Sequence, residues 1–331
     1  MSHTILSNTH TYLSDPLEVI VCSDIGDATS PDGKKLHRIY HTIINTPLQV
    51  RPLENNLPKI ASYLTKKFPW AREALNLVLG EIAQKEMFGD PRLSGVLKPF
   101  LLVGPPGCGK TKFATELSHI LGLPMDLLSG SVSDTGGLQA VSRGWASTLP
   151  CGPLVAMQRH QCANPVLLID EIDKAKGSKN NGHIWTTLLS MLNGDGNYFD
   201  SCLITNIDLR FVNFWATAND LSGLPSPLLD RFIIIQIPSP NIEHANDIID
   251  SVVRDHLAQI GSETAPELPI LVRQKLATIL ASKTGSIRKM QQAYADWLRA
   301  QALQRALPNL DLKCSTIGDI VHLPHQSDRV H

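Results

Sequence analysis

The chain has 331 residues, 43% apolar and 18% charged, with 30 basic and 31 acidic side chains for a formal net charge of −1. That is the make-up of a soluble globular protein with room for one large domain or two modest ones. The even charge argues against an extended nucleic-acid surface, and no run nears the roughly 18 apolar residues needed to cross a bilayer.

Residues 1–57 hold short β-like pieces, LEVIVCS (17–23) and HTIINT (41–46), separated by Gly, Pro, Asp and Ser, and nothing in them points to a role. From residue 58 the pattern turns helical. In WAREALNLVLGEIAQKEMF, Ala71, Ala74, Leu75, Val78, Leu79 and Ile82 approximate one helical face. Between 99 and 237 five apolar runs alternate with helical stretches: PFLLVG, PMDLLSG, NPVLLID, RFVNFWATAN and FIIIQI. Such runs indicate a parallel sheet covered on both faces, hence an α/β fold. After Pro238 helical spacing returns, first at Ala245, Ile248, Ile249, Val252, Val253 and Leu257. It recurs at Ile287, Met290, Tyr294, Trp297 and Leu298. The expected organisation is an N-terminal segment (1–57), an α/β domain (58–238), a small all-helical domain (239–308) and a tail without periodicity (309–331).

Six cysteines, at 22, 108, 151, 162, 202 and 314, form no C-x-x-C pair and no zinc spacing with histidine. In a chain this size they indicate reduced thiols. Residues 1–30 carry no basic-then-apolar signal sequence, so the expected location is the cytoplasm.

Chemistry enters at Gly104-Pro105-Pro106-Gly107-Cys108-Gly109-Lys110-Thr111, a full match to G-x-x-x-x-G-K-[ST] between an apolar strand and a helix. Glycines let backbone N–H groups curl around phosphates, and the helix N-terminus adds a favourable dipole. The nucleotide-contact set runs from Gly104 to Lys112. Lys110 reaches the outer phosphates of ATP, and the Thr111 hydroxyl binds Mg2+. Cys108 fills a variable slot, as a small tolerated residue or as a redox switch. A second apolar run ends in Asp170-Glu171. Asp170 at the strand end suits the magnesium shell, and Glu171 is placed to activate the attacking water.

Together with GPPGCGKT and LLIDEIDK, the segment RFVNFWATANDLSGLPSPLLDRF (210–232) resembles an AAA+ ATPase, most closely the ATPase module of Lon proteases, over about residues 58–305. The resemblance implies a P-loop sheet followed by a helical lid. It makes Asn219 the sensor-1 residue beside the attacking water and Arg231 an arginine finger reaching a neighbouring subunit's ATP. Arg288, in GSIR, becomes the sensor-2 residue on the lid. An arginine supplied in trans contributes about 10³–10⁵ in rate, so the expected form is a homo-oligomer, a ring or open helix, with a hexamer as the family's usual answer. Phe68-Pro69-Trp70 stands where the family often builds its adenine pocket, and simple core packing accounts for it equally well. The chain ends at His331, too soon after Arg288 for Lon's serine–lysine protease domain, so none is expected.

The loop Gly144-Trp145-Ala146-Ser147-Thr148-Leu149-Pro150-Cys151-Gly152 is similar to Lon's channel-facing loop, an aromatic residue followed by an apolar one and G-A-L-P-G. By that resemblance Trp145 grips a protein substrate in a central pore. Capping of a patch on its own domain is the plainer alternative. The leading functional expectation is Mg-dependent ATP hydrolysis that remodels or threads a protein substrate, with a separately encoded effector enzyme as a candidate partner. An ATP-dependent assembly switch that recruits a partner without threading is the second. A nucleic-acid motor or loader is the third, disfavoured because Trp145 has only Arg143 near it.

Overall fold

The computed structural model describes residues 15–130, 137–144, 148–175, 184–262, 267–282 and 285–307. In chain order it contains β1 (Glu18–Val19), α1 (Pro31–Tyr40), β2 (Leu48–Gln49), α2 (Leu57–Lys67), α3 (Arg72–Phe88), β3 (Phe100–Val103), α4 (Lys110–Leu121), β4 (Met125–Ser129) and α5 (Gly152–His160). There follow β5 (Val166–Asp170), α6 (Ile184–Met191), β6 (Asn197–Asp200), β7 (Thr205–Asp208), β8 (Asn213–Ala218), α7 (Ser226–Leu229), β9 (Ile233–Gln236), α8 (Ala245–Gln259), α9 (Ile270–Ala281) and α10 (Ile287–Ala306).

The five apolar runs become one parallel sheet in the order β4-β5-β8-β3-β9. β3 and β8 are buried along their whole length, as a sheet covered on both faces requires. The strand period of two sorts their side chains between two cores. Phe100, Leu102, Val166, Leu168 and Trp215 face a cluster built on α2, α3, α4 and α8–α10. Leu101, Val103, Leu167, Ile169, Phe214 and Ala216 face the other, built on α5, α6, the β6–β7 hairpin and the N-terminal segment. This is the α/β sheet with following helices that the pattern implies. Because β8 lies between β3 and β5, the carboxyl ends of three motif-bearing strands adjoin, with Val103 opposite Ala218 and Ile169 opposite Ala216.

Residues 15–56 depart from the sequence reading. LEVIVCS contributes only the two-residue β1, and HTIINT is a turn region with a single bridge between Cys22 and Ile44. Between them runs α1, capped by the Ser30 hydroxyl, which accepts from the Gly33 N–H, with Pro31 in the first turn. It buries only Gly33, Leu36 and Tyr40, too few apolar positions to announce a helical period. The antiparallel β6–β7 hairpin was also unannounced, because NYFD and TNID alternate weakly and carry little apolar weight.

Candidate nucleotide site

β3 delivers its chain into the phosphate loop, and Gly109 starts α4 at φ +102°. Gly107 has φ +76°, and a Cβ there would stand 2.6 Å from Ser286 Cβ. Only glycine accepts both the left-handed backbone and that close approach. The neighbour is the N-cap of α10, and the Ile287 N–H donates to the Gly107 carbonyl at 3.2 Å. The C-terminal helices therefore sit directly on the phosphate loop.

Lys110 is buried, and its Nζ donates to the carbonyls of Gly104 (2.7 Å) and Pro105 (3.1 Å) and to Asn219 Oδ1 (2.9 Å). Burial pushes its pKa below the ordinary lysine value, against the opposing pull of Cys108, Asp173, Asp170 and Glu171. The Asn219 N–H donates to Asp173 Oδ2 at 3.1 Å, which fixes the end of β8 against the turn after β5. Asp170 Oδ1 accepts from the hydroxyls of Thr111 (2.9 Å) and Thr217 (2.5 Å). Glu171 has φ +56° and ψ +49°, and its Oε1 lies 2.6 Å from Lys174 Nζ.

Lys110, Thr111, Asp170, Glu171, Thr217 and Asn219 line one cavity of about 230 Å³, walled also by Phe68, Trp70, Pro106, Lys112, Ile248, Val252 and Arg288. Phe68 packs edge-on against Trp70 and Phe113, at centroid distances of 5.5 and 5.1 Å, so this pair is at once core and cavity wall. The Lys112 ammonium is paired with Asp255 of α8. Cys108 is buried, and burial pushes its thiol up, which leaves a packing group rather than a reactive thiolate. A magnesium ion fits the donors present. The Thr111 hydroxyl gives its proton to Asp170 and keeps its lone pairs, and an alcohol plus a carboxylate is a hard-oxygen set that phosphate oxygens and water complete.

Two predicted residues stand apart. Arg231 follows α7, is exposed, lies off the cavity, and donates from Nη1 to the Leu192 carbonyl at 3.1 Å. Trp145 lies outside the described residues. The loop that carries it is closed at its base by an antiparallel bridge between Val141 and Leu149, and Arg143 Nε donates to the Cys202 carbonyl at 2.8 Å. Sequence reasoning missed Thr217, Asp173 and Lys174. The first shares the T-A-N end of β8 with Asn219, and the other two follow Glu171 within LLIDEIDK.

Residues 100–239 match the family model "ATPase family associated with various cellular activities (AAA)". The mitochondrial Lon protease homolog of Yarrowia lipolytica is 33% identical over 201 residues, 59% of this chain and 17% of that protein. The peroxisomal Lon protease homolog 2 of Pichia angusta is 31% identical over 225 residues, 66% and 24% of the two chains. Lon protease of Clostridium acetobutylicum is 28% identical over 246 residues, 72% and 30%. The chain thus spans under a third of the length of these relatives. Among solved structures, a chain of the closed-state cryo-EM reconstruction of Hsp104 with ATPγS and FITC casein matches with a TM-score of 0.62 at 18% identity. That match covers 76% of this chain and 48% of the other, and it supports the fold.

Proposed function

We propose that this chain, which carries an AAA+ ATPase module similar to that of Lon proteases, hydrolyses ATP to drive the remodelling or threading of a protein substrate through the pore of an oligomer. One observation carries the hydrolytic part of this reading. Lys110 at the head of α4, Asp170 and Glu171 at the end of β5 and Asn219 just after β8 converge on one cavity against which the C-terminal helices are packed.

Each side chain has a task there. Lys110 exchanges its carbonyl and amide acceptors for phosphate oxygens and neutralises their charge. Asn219 orients the attacking water, and the Glu171 carboxylate takes its proton. Thr111 and Asp170 hold magnesium, which supplies further neutralisation of the phosphate charge when bound. Trp70 and Phe68 present an apolar wall for the base, and Arg288 approaches from α10. Rigid-body shifts of α8–α10 over the bound nucleotide then report its state to neighbouring subunits. Arg231 acts in trans, a role supported by its exposure and its distance from the cavity of its own chain. A hexameric ring is the proposed form, with 58–238 and 239–308 as its two moving parts. A cytoplasmic setting accords with the five cysteines among the described residues, each free and buried. Among the described residues no helix is long and apolar enough to cross a membrane.

The test is ATP turnover with and without a permanently unfolded polypeptide, in the wild type and in Trp145→Ala. Stimulation by the polypeptide that disappears in the variant supports gripping by the loop. Stimulation that survives intact removes the pore role, and no stimulation in either protein favours an assembly switch acting through a dedicated partner or effector enzyme.

A further inference from the structure

The geometry points to Thr217 as the positioning residue of the hydrolytic centre: its hydroxyl ties Asp170 to Glu171 and fixes the left-handed turn that brings both carboxylates to one cavity. This rests on the reading of Glu171 as the base.

Consecutive residues of a regular strand face opposite sides of the sheet. Asp170 ends β5 and Glu171 follows it, yet both line the same cavity. The left-handed backbone at Glu171 is what breaks the alternation. For a residue with a Cβ that conformation is strained and persists only where the surroundings over-determine it.

The surroundings do so from both sides. Thr217, fully buried on β8, donates its hydroxyl proton to Asp170 Oδ1 at 2.5 Å. The Thr217 hydroxyl oxygen in turn accepts the Glu171 N–H at 2.9 Å. On the far side the Gly130 N–H, at the end of β4, donates to the Asp170 carbonyl at 2.7 Å. A Cβ on Gly130 would stand 2.7 Å from the Glu171 carbonyl oxygen, so the fit on that side has no slack. The peptide joining the two acids is thus gripped between the ends of β4 and β8. Only a hydroxyl serves at position 217, because it donates one hydrogen and accepts another within the volume of a small side chain. Valine fills the space and does neither.

The experiment compares Thr217→Val, Thr217→Ser and Glu171→Gln in the full chain. It reads kcat, KM for ATP, and amide hydrogen exchange at Glu171 without nucleotide. In T217V, kcat is expected to fall about 10- to 100-fold, the scale of a misplaced catalytic group, with KM nearly unchanged. The Glu171 amide should exchange faster in that variant. T217S should restore both to near wild type. Wild-type kcat in T217V overturns the inference, as does equal loss in T217S, which would make the methyl group the important part. If T217V fails to hold the wild-type melting temperature, Thr217→Ala reads the same loss of the hydroxyl without its steric demand. Normal turnover in E171Q would remove the base beneath the inference, an outcome distinct from failure at position 217.

Discussion

The sheet is closed by different means on its two faces. The face bearing α2–α4 and α8–α10 is held by apolar residues at helical spacing, and the cavity opens at its edge. The opposite face is closed by a buried polar junction. Asp200 is fully buried, and its carboxylate accepts the N–H groups of Cys151 (2.7 Å), Cys202 (2.9 Å) and Leu203 (2.8 Å). The Gly26 N–H and the Arg143 guanidinium donate to carbonyls of the same 202–203 turn. So the N-terminal segment, the base of the Trp145 loop and the β6–β7 hairpin meet at one carboxylate-centred knot. The first face brings its polar side chains to an open cavity, whereas the second uses a buried carboxylate to hold backbone in place.

That contrast is broken most severely on the chemical side. Glu171→Gln keeps the shape and an acceptor for Lys174 but removes the proposed proton acceptor, so ATP turnover should fall by about 10²–10⁴. Nucleotide affinity and melting temperature should stay near wild type. Steady-state hydrolysis beside nucleotide-binding titration checks the separation, and a proportional loss of both would mean that Glu171 is structural.

The opposite face should respond the other way. Asp200→Ala leaves three buried N–H donors without an acceptor, each worth about 1 kcal/mol or more, so stability should drop by about 3 kcal/mol. Thermal melting reads this as a fall of several degrees, while KM for ATP in the folded fraction stays unchanged. Unaltered melting would show that the junction is not what closes that face. Burial, with help from Asp200, pushes the Cys202 thiol up to about 12, and burial with Asp24 and Asp200 does the same for Cys22. Both cysteines should therefore resist alkylation in the native protein and react once D200A loosens the knot.

This difference also explains what could be read in advance. The strands β3, β4, β5, β8 and β9 were legible because burial on both faces demands unbroken apolar runs, and a phosphate loop demands glycines at fixed spacing. α1 and the β6–β7 hairpin were not, since their partners lie far along the chain: Gln158 donates to the Ile39 carbonyl of α1, and the hairpin is met by the Cys151 N–H at Asp200 and by Arg143 at the Leu203 carbonyl. Within the site, Lys110, Asp170, Glu171 and Asn219 stood out by motif. Thr217 did not, because a threonine in a strand reads as packing until the neighbour on the next strand is known. Phe68 and Trp70 left two readings open, and the fold resolves their placement by making one aromatic pair serve as core and wall.

The smallest expected effect lies where the two halves of the first face touch. Lys112 and Asp255 join α4 to α8, and their side chains are each about a third exposed, at 32% and 34%. A pair so exposed is worth about 0.2–1 kcal/mol, and salt screens it. Breaking it with Lys112→Met or Asp255→Asn should leave the melting temperature within a degree or two. Yet α8 also supplies Ile248 and Val252 to the cavity wall, so the same fraction of a kilocalorie acts on how α8 sits over the nucleotide. KM for ATP should rise up to about fivefold in either variant, with little further rise in the double variant, since removing one partner already forfeits the pair. The increase should shrink as salt is raised. Additive losses in the double variant would instead place Lys112 on the phosphates themselves, as the motif alone implies, and would make the bridge to α8 incidental.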